Sequence, residues 1–213
     1  LARRPAGLTA NREDILLAAA DVLQRRGYAA TTMKEIAAAA NLTAGTLYHY
    51  FANKDALVLA VLEMGLEAGI ARVEPIAGDA SRPALERLRD MMAAHILGLT
   101  EQPAIGAAMV FEIRALLYAS DDGEAEDDAD VQEFLVRRQE FFGRRDDFER
   151  LFRQVVQQAI ADGSLRPIDA GLYVKTLLGA QNWVGVWYRP EGRLTGGEIA
   201  ARMVDLLIEG VRP

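Results

Sequence analysis

The stretch from Thr32 to Asp55, TMKEIAAAANLTAGTLYHYFANKD, limits what this chain can fold into more than any other. It reads as two short helices joined by a tight turn, with a third helix starting at Asn53. Thr32 and Glu35 have capping-box spacing, in which the threonine oxygen takes the N3 amide and the glutamate returns to the cap amide. Ile36, Ala37 and Ala40 continue one apolar face, and Thr43 is placed to cap a second helix over 44–50. That second helix has only about two turns and is not stable alone. Leu42, Leu47 and Phe51 must therefore anchor it inward, against Ile15, Leu23 and Ile36. A short helix held from behind and bare in front is how a protein presents a reading helix to a DNA major groove.

The remaining pattern is helical and no strand-like alternation persists. A first helix is predicted over 11–26, with Ile15, Ala19, Val22 and Leu23 on one face and Gly27 as its terminator. Asn53 caps a helix expected to reach about Arg72 and stop before Pro75. Further helices are predicted over 83–97, 104–118, 131–161, 169–187 and 195–209. Within 131–161, Gly143 marks a bend or a packing contact. Residues 120–130, SDDGEAEDDAD, hold seven acids in eleven residues and read as a solvated, flexible loop. The expected fold is all-α with about nine helices: a helix-turn-helix domain over 1–55 and a larger helical domain over 56–213.

Several function classes fall away. There is no cysteine, so disulfides and thiolate metal sites are excluded. No apolar run is long enough to span a membrane, which makes a cytoplasmic protein the expectation. With two histidines, His49 and His95, and no paired carboxylates or activated nucleophile at a defensible spacing, an enzyme is the poorest option. No metal or cofactor is expected.

The net charge of -7 at first argues against nucleic acid. Its distribution softens that. Residues 1–55 carry seven Lys/Arg against five Asp/Glu, whereas residues 56–213 carry 17 against 26. The local field over the docking face decides. A surplus this small implies that two such surfaces act together.

The free side of the 44–50 helix offers Thr43, Ala44, Gly45, Thr46, Tyr48 and His49. Ala44 and Gly45 allow close approach. The threonines can meet phosphate or a thymine methyl, and Tyr48 and His49 can reach phosphate oxygens. Lys54 adds a cation near the same strand, and Thr32 can bring backbone N–H groups to a phosphate. Ordinary packing is the bland alternative, but three polar aromatics in a row, Tyr48-His49-Tyr50, make an odd core.

These residues carry a resemblance. TANREDILLAAADVLQRRGYAATTMKEIA, NLTAGTLYHYF and NKDAL are similar to the helix-turn-helix domain of the TetR family of transcriptional regulators, closely over 11–60 and loosely beyond. The resemblance implies that the 44–50 helix is the recognition helix, with Thr43, Ala44, Gly45, Thr46, Tyr48 and His49 as contact positions and Thr32 and Lys54 on the backbone. Ala44 departs from the polar or basic residue the family often has there.

It further implies a homodimer on a palindromic site in double-stranded DNA, paired through the last two long helices. Val174, Leu177, Leu178, Gln181, Val204, Leu207 and Ile208 mark the expected face. These residues can instead face only their own subunit. An effector cavity is implied among the middle helices, and Met64, Met92, His95, Met109, Arg114, Phe142, Trp183 and Trp187 are the candidate linings. Most can equally be plain core. The stretch 179–210, with Trp183, Trp187, Tyr188, Arg189, Pro190 and Gly192, is similar to members that control lipid breakdown and respond to acyl-CoA thioesters. Arg137, Arg138, Arg144 and Arg145 are candidates for the CoA phosphates or, alternatively, surface ion pairs. A repressor released by a small hydrophobic effector is the expected function. An activator, a repressor that needs its ligand, or a small-molecule-binding adaptor without DNA binding are the alternatives.

Overall fold

The computed structural model describes residues 11–117 and 129–213. Within them the chain forms eleven helices and no strand: α1 Arg12–Ala30, α2 Met33–Ala39, α3 Ala44–Tyr50, α4 Lys54–Gly78, α5 Ala84–Glu101, α6 Pro103–Phe111, α7 Ile113–Leu117, α8 Ala129–Ala161, α9 Ala170–Asn182, α10 Val184–Trp187 and α11 Gly196–Glu209. The all-α expectation holds. The count exceeds nine because two expected helices are each interrupted at a single residue, Glu112 between α6 and α7 and Trp183 between α9 and α10. Both residues keep a right-handed helical backbone, so the eleven segments lie on nine rods. The acidic run falls mostly outside the described residues, which resume at Ala129.

The local signals work largely as read. Thr32 and Thr195 complete reciprocal capping boxes with Glu35 and Glu198. Asn11, Thr43, Asn53 and Asp169 each accept an amide at the start of their helix. Gly27 (φ 71°, ψ 167°) interrupts the first helix as read, in a conformation open to glycine, and a further turn follows it to Ala30. Two expectations need correction. Helix α4 runs through Pro75 to Gly78. Near a C-terminus a proline costs a single backbone bond, and Ile70 and Val73, both buried, hold the preceding turn in the core. Gly143 neither breaks α8 nor packs, since a Cβ there would meet nothing within 4 Å.

Helices α1 to α3 form a small head whose core is Ile15, Leu16, Leu23, Ile36, Leu47 and Phe51. Helix α4 starts in that head and continues into the body, where it packs on α5, α6 and α8. Helix α5 is the body's centre, touching α4, α6, α8, α9, α10 and α11. Helix α6 lies between α1 of the head and α4 and α10 of the body. Gly106 and Gly185 permit the last contact: a Cβ on Gly185 would sit 2.8 Å from the backbone of Gly106.

Candidate nucleic-acid interface and inner cavity

The head builds a small polar surface on a fully buried support. Leu47 is wholly buried on the inner side of α3, while Tyr48 and Tyr50 are 53% and 42% exposed. Thr43, Gly45 and His49 are exposed and Ala44 and Thr46 are half-buried. The turn before α3 closes because Asn41 adopts φ 57°, the left-handed region that asparagine tolerates. The Thr43 hydroxyl takes the Thr46 amide at 3.1 Å and lies 2.8 Å from the Thr46 hydroxyl, which fixes both side chains on one edge of the helix. The six candidate residues of α3 and its cap thus form one solvent-facing surface. Tyr50 is exposed at its end.

The two flanking candidates are more committed. The Thr32 amide donates to Glu35 at 3.0 Å, and Glu35 pairs with Arg26. Lys54 Nζ donates to the carbonyls of Tyr28 and Thr31 at 2.9 and 3.1 Å and lies 4.0 Å from the Tyr28 ring centroid. It ties down the carbonyls at the end of α1, where helical partners run out. A second cation–π contact sets Arg12 over the Phe51 ring at 5.4 Å.

Behind this surface a polar cluster joins head to body. The Tyr28 hydroxyl donates to Asp55. Burial and that carboxylate push the phenol well above the usual tyrosine range. Glu112, 5% exposed, sits at the break between α6 and α7. Burial pushes its carboxyl up, against the Tyr28 backbone N–H and the Lys54 charge, which favour the anion. Sequence reasoning passed over Glu112, since a lone glutamate in an apolar run gives no periodic signal.

The body holds a cavity of about 370 Å³ between α4, α5, α6, α8 and α9. Its apolar wall includes Leu66, Leu99, Ile105, Met109, Phe148 and Leu178; its cations are Arg72, Arg145 and Lys175. Arg72 is paired with Glu101 and Lys175 with Glu149. His95 and Asn182 meet on the wall at 2.8 Å. A second, more open cleft of about 750 Å³ lies between α1 and residues 186–190, and Gln102 and Ile105 line both spaces. The α5–α6 junction is therefore the partition between the cavity and the back of the head.

Of the expected cavity residues, His95 and Met109 line it. Met92 is fully buried in the core, Met64 and Phe142 are half-buried outside the lining, and Arg114 is exposed on α7. Trp183 and Trp187 stand 53% and 46% exposed on the outer surface, Trp183 edge-on to Phe111. Size and polarisability do not say which side of a helix faces a hole. Glycine gave the better signal: Gly65, Gly69, Gly98, Gly106 and Gly179 all line the cavity from inside helices, positions where glycine costs about 1 kcal/mol relative to alanine. Among the four candidate arginines, Arg137 pairs with Glu63 and Arg144 with Glu67, as the surface-pair alternative has it, while Arg145 lines the cavity.

The residues expected to pair the subunits point largely inward. Val174, Leu177, Leu178, Gln181, Val204 and Ile208 are buried in the chain's own core, and Leu207 is half-buried with its carbonyl accepting from Tyr173. The solvent side of α9 and α11 carries Leu172 and Leu206, 67% and 76% exposed. Gln181 is fully buried, and neither amide atom meets a protein partner. Among the described residues no cluster of three or more metal-ligating acids or histidines occurs, and no helix is long and apolar enough to cross a membrane.

Known proteins share this arrangement. Residues 15–61 match the family described as bacterial regulatory proteins, tetR family, and residues 81–211 match the tetracyclin repressor-like C-terminal domain. The chain is 28% identical over 210 residues to the HTH-type transcriptional repressor KstR2 of Mycolicibacterium smegmatis, covering 97% of this chain and 93% of that protein. The structure of the ketosteroid transcriptional regulator KstR2 of Mycobacterium tuberculosis superposes with a TM-score of 0.79 at 25% identity, over 99% of this chain and 100% of that one. AibR in complex with isovaleryl coenzyme A and operator DNA superposes with a TM-score of 0.71 at 29% identity, over 92% of this chain and 97% of that one.

Proposed function

This chain belongs to the TetR family of transcriptional regulators, and from that premise we propose that it is a homodimeric repressor released from a palindromic operator by a hydrophobic effector of the acyl-CoA class. Residues 1–55 act as the reading head, through Thr43, Ala44, Gly45, Thr46, Tyr48 and His49, and residues 56–213 hold the effector and pair the subunits. The family is one of regulators rather than enzymes.

The observation that carries the effector reading is the cavity itself, an apolar pocket whose walls also bear Arg72, Arg145 and Lys175. At about 370 Å³ it suits an acyl group, with cations for an anionic carrier lying against it. Isovaleryl coenzyme A in AibR supports that chemistry, and the ketosteroid description of KstR2 supports a hydrophobic effector. Helices α4 and α6 line the cavity and also pack on α1, so a ligand that parts them changes the angle of the head. Exposed Leu172 and Leu206 support pairing through α9 and α11.

Purified dimer should bind its own upstream DNA in a salt-sensitive, sequence-specific way, and octanoyl-CoA should release it. Absence of any DNA binding at low salt sinks the regulator reading. DNA binding that no acyl-CoA alters sinks the effector reading alone.

A further inference from the structure

The wall of the cavity carries one uncharged polar pair among its apolar residues. His95 Nε2 lies 2.8 Å from Asn182 Oδ1. The ring packs against the Phe148–Phe152 pair, with centroids at 5.3 and 6.3 Å. Burial pushes the imidazole down, so it is neutral at physiological pH. An amide oxygen only accepts, so Nε2 carries the ring proton and Nδ1 is an acceptor. The Asn182 amide nitrogen remains a donor. Among the described residues, no protein group meets either of these two nitrogens. Nor is either an enclosed orphan, because the buried unpartnered atoms are those of Arg87, Arg153 and Gln181. Both residues line the cavity, with these two nitrogens left accessible.

Resting on the effector reading above for the use of this cavity, we infer that His95 and Asn182 form a polar address that selects an effector whose apolar body bears an uncharged oxygen group. A ketone accepts from the Asn182 amide. A hydroxyl does the same and also donates to His95 Nδ1. A carboxylate is disfavoured at this point, because the ring is neutral and is flanked by two phenylalanines. The charged groups of Arg72, Arg145 and Lys175 serve the other end of the molecule. An all-hydrocarbon acyl chain leaves the address unpaired and so binds less tightly than an oxygen-bearing chain of equal shape.

Cyclohexanone and methylenecyclohexane have the same shape and differ by one oxygen. Titration of the full-length protein, followed by ¹⁵N resonances of the imidazoles, should give a ketone affinity at least about tenfold above the hydrocarbon's, the scale of one buried hydrogen bond. The His95 nitrogens should move while those of His49, exposed on α3, stay fixed. In Asn182→Leu the preference should shrink to about twofold or less; if that variant does not fold, the native comparison decides alone. Equal affinities, or no binding of either probe, overturn the inference. Failure of acyl-CoAs to release DNA, those with an oxygen-bearing acyl group included, with the ketone preference intact removes the thioester reading and leaves the polar address standing.

Discussion

The head and the body place their working residues differently. On α3 the supporting and contacting side chains are neighbours in sequence that point to opposite sides: Leu47 is fully buried and Tyr48 is 53% exposed. In the body, cavity residues and core residues share the same faces. Met92 is wholly core, while Met109 lines the cavity one helix away. Function and stability are thus separable in the head by a single residue step. In the body the two are interleaved, because a ligand held inside a protein replaces part of its packing.

A paired substitution in each half separates the two regions most strongly. Leu47→Ala should cost about 2–5 kcal/mol of stability by opening a cavity under α3, and DNA binding should fail with it. Tyr48→Ala should leave stability within about 0.5 kcal/mol yet lower operator affinity at least about tenfold through a lost phosphate contact. Thermal melts and fluorescence anisotropy on the same samples check both. A Tyr48→Ala protein that binds its operator normally would remove α3 from the reading surface. In the body, Met92→Ala should destabilise by about 2–5 kcal/mol with no selective effect on effector affinity. Met109→Ala should cost less, because Met109 is only half-buried and faces the cavity, and should change the effector concentration needed for DNA release. Equal outcomes for the two methionines would mean that the cavity is not the effector's site.

These contrasts also explain what was legible. The head could be read because its signals are local. Thr32–Glu35, Thr43 and Asn53 are caps whose partners lie three residues away, and the apolar anchors recur at helical spacing. The lining of the body could not be read the same way. Helices α4, α5, α6, α8 and α9 meet there from distant parts of the chain, so no local spacing marks which of their inward residues face the cavity. Picking large, soft residues found His95 and Met109 but also took Met92 from the core and two tryptophans from the surface. An apolar stripe such as Val174, Leu177 and Leu178 is what a helix turns toward its own core, and Leu172 and Leu206 are the large apolar side chains left outside.

Between the halves lies Glu112, whose test is smaller and depends on pH. Its carboxyl is raised in the folded protein by burial. The folded state therefore keeps this proton where the unfolded chain has lost it. The stability it contributes is full below the ordinary carboxylate range and is lost as pH rises through the raised value. Glu112→Gln keeps an oxygen for the Tyr28 N–H and removes the ionisation. Thermal melts should show that the variant gains on the native protein as pH rises above the ordinary carboxylate range and matches it in acid. An unchanged gap at every pH would mean that Glu112 does not titrate differently on folding. If the joint also carries the effector signal, the variant should need a different effector concentration for release, although its cavity is intact.

The smallest expected effect concerns α8, which contributes Arg145, Phe148 and Glu149 to the cavity. Gly143 stands one turn before them in an unbroken helix, exposed, with open space where a Cβ would go. Alanine there should raise stability by about 0.5–1 kcal/mol by restricting the unfolded chain and improving helix propensity. A purely structural glycine predicts that gain with no change in DNA release by octanoyl-CoA. If α8 must flex at this point to admit a ligand, the same substitution should raise the melting temperature and slow effector association together. Stopped-flow release of labelled DNA separates the two. A faster or unchanged release rate would leave α8 a rigid wall, and the adjustment to ligand would then fall to α6, which is only nine residues long and held between α4 and α10 by glycine contacts.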